Sequence, residues 1–280
     1  TDLYFQCLDG NWNADGDHLY GEGYSSMSTP GDAVDLMPDV YVGRAPCVTA
    51  AHAQLFVDKT LLYEKTPVTD YLKDVLFFAE VLFPQDWQYP EETILDGGSL
   101  AESVQPYLQA NPNVRSVRLY ENYTSLDWQP GALPETRQAV LDSLDRGYNV
   151  AVHIGHGYRN TMRVGDGSLE NSDAFALTNG DRLINLYAIN CTSNAIDFPS
   201  IGEAFLLCPT GGAVTNIGSP HFDFPSAGQV YEDEYFRLVY VDSVNAVGEA
   251  HALAKVPFIG YSTYDGVNRW TQMTLLMLGE

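Results

Sequence analysis

The chain has 280 residues, with 37 acidic against 14 basic side chains, a formal charge of −23 and a pI near 4.3. That balance excludes a protein that grips nucleic acid through a basic surface. Hydrophobic residues at 45% and charged residues at 18% supply a large core and exclude a disordered polyelectrolyte, and no apolar run approaches the roughly 18 residues that span a bilayer.

In chain order, Val40-Tyr41-Val42-Gly43 reads as the end of a strand. Residues 49–63 set Leu55, Val57, Leu61 and Leu62 among polar residues and predict a helix. Residues 74–83 are apolar almost throughout, as in a strand buried on both faces, with Glu80 as the interruption. A short helix is predicted over 100–108 and a strand over 114–120. Residues 134–146 predict a helix with Pro134 in its first turn, Val140, Leu141 and Leu144 on its apolar face and Gly147 as its stop. Strands follow at 149–154 and 183–190. Ser200 with Glu203 three residues on is a capping box that opens a helix through Leu207, and a further strand covers 212–217. Segments 21–37 and 84–98 read as loop excursions. No linker divides the chain, so one domain over 1–280 is the simpler reading. Strands alternating with helices imply right-handed crossovers and an α/β fold with a mainly parallel central sheet.

Such a sheet carries its chemistry beyond the carboxyl ends of its strands. Two ends stand out. One is His153-Ile154-Gly155-His156-Gly157, where glycines flanking His156 let backbone amides and a substrate come close; the other is Ile189-Asn190-Cys191, where a cysteine terminates an apolar strand. A thiol and an imidazole from neighbouring strand ends are the minimum equipment of a cysteine hydrolase, and the amides of Gly157 and Cys191 are candidates for an oxyanion site. A cysteine at a strand end is otherwise a small buried hydrophobe. His153, inside the strand, reads as a core or supporting residue.

The order of Asp39-Val40-Tyr41-Val42-Gly43-Arg44, Asp58 to Glu64, Gly155-His156-Gly157, Asn190-Cys191, Ile201-Gly202-Glu203-Ala204-Phe205 and Gly211-Gly212-Ala213 resembles the gingipain-type cysteine peptidases of the caspase-like clan. The resemblance runs over nearly the whole chain. It implies a caspase-like αβα sandwich and hydrolysis of peptide bonds in peptide or protein substrates, with Cys191 as nucleophile and His156 as general acid and base. It also implies a glutamate that orients the histidine, here Glu80, for which a structural ion pair is the alternative. Cleavage after Arg or Lys would use a carboxylate at Asp96, or Asp96 is a turn or helix-start aspartate. Phe222 and Phe224 are candidates for an apolar lid over that substrate-binding pocket, or simply pack. Relatives of this kind act secreted or at the bacterial cell surface, and carry sequence before Thr1 and beyond Glu280.

Counting from Asn11, oxygen donors fall at Asn11, Asn13 and Asp15, glycine at position 6 and Glu22 at position 12, with Asp17 between. This is the spacing of a calcium loop, although His18 replaces an aliphatic residue and no helix pair flanks it. A structural calcium ion and a solvated Asx-rich turn are the two readings. Four cysteines, with no CxxC pair, argue against structural zinc or a disulfide framework; Cys7 and Cys47 are left as thiols or neighbours. Two other functional classes fit the same residues: a catalytically silent, calcium-dependent binding or surface-assembly module, and a thiol acyltransferase in which an amine replaces water.

Overall fold

The structure is a computed structural model and describes residues 1–23 and 31–280; the predicted loop 21–37 lies partly outside the described residues. Seven strands build the central sheet: β1 (Asp74–Ala79), β2 (Arg115–Tyr120), β3 (Ala132–Pro134), β4 (Val150–Ile154), β5 (Ile184–Ile189), β6 (Ala213–Gly218) and β7 (Leu276–Leu278). Their order is β7-β6-β5-β4-β1-β2-β3, and every neighbouring pair is parallel except β6 and β7.

Period-two alternation sends successive side chains to opposite faces. Leu76, Phe78, Ala151, Leu186 and Ala188 pack with Val140 and Leu144 of the Arg137–Arg146 helix and with Ile201 and Phe205 of the Ile201–Leu206 helix. Val75, Phe77, Val152, Tyr187 and Ile189 pack on the other face with Leu100, Leu108, Tyr231 and Phe236. Each buried Val, Leu, Ile or Phe among them contributes about 1.5–3 kcal/mol by leaving water, and the three-layer αβα sandwich expected of a doubly buried parallel sheet is the arrangement found.

Local signals explain where elements stop. The Ser200 hydroxyl accepts from Glu203 N, and Glu203 in turn accepts from Ser200 N, closing the expected capping box. Gly147 ends its helix at φ 79°, and a Cβ there would lie 2.5 Å from Arg182 Cβ. Four expectations are corrected. Val40–Gly43 is irregular, and only Arg44 makes a bridge, to Leu278. The 134–146 helix starts at Arg137 behind the Thr136 cap, because Pro134 closes β3. The 100–108 helix is two short ones, Gly97–Glu102 and Gln105–Gln109. The 74–83 strand breaks at Glu80, after which Val81–Phe83 pairs with Leu95–Asp96 in a separate ribbon.

Directly after β4 the chain forms a three-stranded antiparallel ribbon of Gly157–Tyr158, Thr161–Val164 and Gly167–Glu170. Together with the Val81–Phe83 ribbon and the segment after β6, it walls the carboxyl end of the sheet.

Candidate active site

β4 and β5 are parallel neighbours, with Ile154 opposite Ile189, so His156 and Cys191 each leave the sheet two residues beyond a paired position. Gly155 N donates to Ile189 O at 3.1 Å, holding the two exits together. Beyond them Gly157 presses on the Asn190-Cys191 backbone. A Cβ at Gly157 would sit 2.7 Å from Cys191 O and 2.9 Å from Asn190 Cγ, so any side chain displaces the segment that carries the sulfur. Gly157→Ala is expected to lower kcat/KM about 100-fold through that displacement, read from initial rates on peptide reporters.

His156 is half-buried and gripped from one side. Its backbone N–H donates to Glu80 Oε1 at 2.7 Å, its Nε2 lies 3.0 Å from Leu82 O and 3.8 Å from Glu80 Oε1, and the Phe83 ring meets it edge-on at 5.9 Å. A carbonyl only accepts, so Nε2 carries the proton and Nδ1 is left as the basic nitrogen. Glu80 thus acts mainly on the histidine backbone, while the Leu82 carbonyl aims the ring. Glu80 is 1% exposed, and burial pushes its carboxyl up to about 7 against the pull of the His156 amide and Arg163.

Cys191 is half-buried, and Asp223 N donates to Sγ at 3.4 Å. Burial holds the thiol above its ordinary range, opposed by the Asp223 amide and reinforced by the Asp223 charge. Thr192, next in line, adopts φ 57° and donates its N–H to His221 O. A β-branched residue in the left-handed region marks a strained turn, of the kind that clusters at reactive sites. Below it, Asn190 Nδ2 donates to His153 Nδ1 at 2.8 Å and His153 Nε2 donates to Arg163 O at 2.8 Å. Burial lowers His153 to about 4, so it is a neutral strut of the core.

Other expectations separate here. Asp96 is 6% exposed and caps the Gly97–Glu102 helix, accepting from Gly98 N at 2.9 Å and Asn122 Nδ2 at 2.9 Å. Each oxygen accepts one hydrogen bond, which is the geometry of the capping alternative. Phe222 and Phe224 are exposed and flank Asp223, with Phe222 O held by Trp270 Nε1. Asp223 was not singled out by sequence. Its Oδ2 and Ile189 Cγ2 both lie about 3 Å from the Cβ position of Gly228, which sets the carboxylate beside the strand end that leads to Cys191. Burial raises it to about 7.

In the acidic loop, carboxylate oxygens of Asp15, Asp17 and Glu22 lie within 4.8 Å of one another. Asn13 Oδ1 is buried without a hydrogen-bond partner, whereas Asn11 Oδ1 accepts from Asn13 N and keeps its second lone pair for an ion. Asp32 holds the loop from within, accepting from Ala14, Gly21 and Glu22 backbone N–H groups. Burial and the charges of Asp17, Asp15 and Asp32 raise the Glu22 carboxyl. All four cysteines are free thiols, Cys7 and Cys47 included.

Similarity to known proteins bears on this arrangement. The chain is 24% identical over 251 residues to Lys-gingipain W83 of Porphyromonas gingivalis, covering 88% of this chain and 12% of that protein. The Arg-specific cysteine proteinase gingipain R superposes with a TM-score of 0.70 at 18% identity, over 88% of this chain and 55% of that one. The RgpB mature domain in complex with its pro-domain, from Porphyromonas gingivalis, gives 0.68 at 18% identity, over 87% and 56%. The chain therefore spans about half the length of these solved relatives and an eighth of the curated one. The profile of Peptidase family C25 matches residues 1–280, and the chain belongs to that family, the gingipain-type cysteine peptidases.

Proposed function

We propose that this chain hydrolyses peptide bonds through Cys191 and His156, cutting after a basic residue. The observation that carries the reading is the interlock of the two strand ends, with Gly157 seated on the Cys191 carbonyl. As Sγ attacks the scissile carbonyl carbon, its proton passes to His156 Nδ1, and the carbonyl electron pair moves onto the oxygen beside the Gly157 and Cys191 amides. Each such donor is worth about 3 kcal/mol in the transition state. His156 then protonates the departing amine, and the acyl-enzyme is released by water that returns its proton to the same nitrogen. Asp223, in place of Asp96, meets the basic side chain, in keeping with relatives named for Arg and Lys specificity. As the family resemblance implies, the setting is outside a bacterial cell, secreted or at the surface; among the described residues no helix is long and apolar enough to cross a membrane.

The test is active-site labelling: an acyloxymethyl ketone carrying Arg or Lys is expected to add to Cys191, located by peptide mass mapping. Absence of the adduct, with the chain folded, favours the silent binding module instead.

A calcium ion at Asp15, Asp17 and Glu22, with Asn11 and Asn13 as neutral ligands, completes the proposal, supported by the convergence of three carboxylates in one loop. It braces the fold and takes no part in the reaction. Calcium at about 100 times its Kd is expected to add about 2.7 kcal/mol of stability, seen as a rise in Tm that chelator reverses and that Asp17→Asn with Glu22→Gln removes.

A further inference from the structure

Glu80, Glu121 and Glu135 are the first residues after β1, β2 and β3. Ala79 pairs with Tyr120 and Tyr120 with Pro134, so the three glutamates stand side by side across adjacent strand ends. Like charges at neighbouring sheet positions repel. Each glutamate accepts one backbone N–H: Glu80 Oε1 from His156 at 2.7 Å, Glu121 Oε2 from Val81 at 2.8 Å and Glu135 Oε2 from Gly165 at 2.9 Å. Glu80 Oε2 and Glu135 Oε1 are buried with no hydrogen-bond partner. Burial raises the carboxyls of all three.

The cation that faces this row is Arg163, whose Nε lies 3.5 Å from Glu80 Oε2 and whose charge also lowers Glu121. It sits in the middle strand of the ribbon that follows His156, and its backbone touches both histidines: N donates to His156 O at 2.9 Å, and O accepts from His153 Nε2. Around Glu80 the charged and titratable groups are therefore His156, Arg163, Glu121 and Glu135, with Asp96 and Asp166 acting on the latter two and His153 beneath.

We infer that Arg163 is a positioning residue for the hydrolysis: its guanidinium is the counter-charge that holds the Glu80 carboxyl facing His156, while its backbone clamps the ribbon under that histidine. This rests on the Cys191–His156 reading above. Three buried or half-buried acids on adjacent strands cannot all stay ionised without a counter-charge. If the guanidinium is removed, the Glu80 carboxyl, already at about 7, rises further, so that it is protonated through more of the neutral range and the imidazolium formed during attack loses the anion 3.8 Å from its Nε2. The loss is reversed at higher pH, where Glu80 ionises without help.

The experiment is a set of kcat/KM–pH profiles for the wild type, Arg163→Lys, Arg163→Gln, Arg163→Met, Glu80→Gln and the Arg163→Gln/Glu80→Gln double variant, with Tm for each. Methionine keeps the aliphatic stem should glutamine disturb packing. In the neutral variants the acid limb is expected to move up by about one pH unit, lowering the rate about tenfold near pH 6.5 and by less than threefold near pH 9. Lysine is expected to restore most of the limb. In the Glu80→Gln background, Arg163→Gln is expected to change nothing further, because its action passes through that carboxylate. A pH-independent loss that follows Tm, or a loss that multiplies with that of Glu80→Gln, overturns the assignment. A wild-type profile in Glu80→Gln overturns it by removing its target. Hydrolysis that survives Cys191→Ala overturns the underlying reading, and is distinguishable from both.

Discussion

Cys191→Ala is expected to lower kcat/KM on peptidyl-arginine and peptidyl-lysine reporters by about 10⁴-fold or more, to the level left by substrate binding and the two amides alone. The sulfur is the atom that accepts the acyl group, and no rearrangement of the histidine substitutes for a missing nucleophile. The fold is expected to hold, since the thiol is half-buried and its contacts are to the Asp223 backbone; a change under about 1 kcal/mol is typical of such a site. Activity retained in the alanine variant, measured against a mock-purified control, contradicts the proposed reaction. Adding His156→Ala to it is expected to cost little more, because the two residues serve one proton transfer.

Asp223→Asn is expected to cut kcat/KM on basic substrates by about 100- to 1,000-fold, while substrates with a neutral residue before the cut lose less than threefold. Leaving a buried cation without its anion costs about 3–5 kcal/mol. The pH dependence follows from the same burial. With its carboxyl near 7, Asp223 in the free enzyme is largely protonated below that pH and ionised above it. Preference for basic over neutral substrates is therefore expected to rise as pH increases through about 7 and to fall as pH drops below it, and to become flat in the asparagine variant. Paired reporters differing in that single residue, assayed from pH 5.5 to 8.5, read it directly. Equal losses on both reporters would show Asp223 to be a structural neighbour of the sulfur only.

His156 and Cys191 were legible because a strand leaves a period-two apolar trace, and what interrupts it at the carboxyl end is exposed to view: glycines around the one, a sulfur after Asn190 in the other. Glu80 was legible for the converse reason, as a carboxylate inside an apolar run. Its mode of action was not, since the sequence gives no sign of a chain break at Glu80, after which the Leu82 carbonyl turns toward the imidazole; a backbone acceptor has no residue type. Asp96 stayed open between two readings because an aspartate two residues before a helical N–H looks the same whether it caps or binds a substrate. Asp223 lies in an irregular segment without periodicity, and the hydrogen bond from its N–H to Cys191 Sγ spans 32 residues that no local pattern records. The ribbon over 157–170 was missed although Gly165-Asp166 between Val164 and Gly167 carries the residues of a two-residue hairpin turn.

The packing of Gly157 on the Cys191 backbone also decides which side of the cleft is free to vary. The edges bearing histidine and sulfur are wedged together with no room for a methyl group. The facing wall, residues 219–224, is held by hydrogen bonds from Thr192, Asn194 and Trp270 and presents two exposed phenylalanines. The backbone of that wall also holds the sulfur, through Asp223 N, and the residue after it, through His221 O, so re-aiming the proposed cut site means exchanging side chains on this jaw while its main chain stays in place.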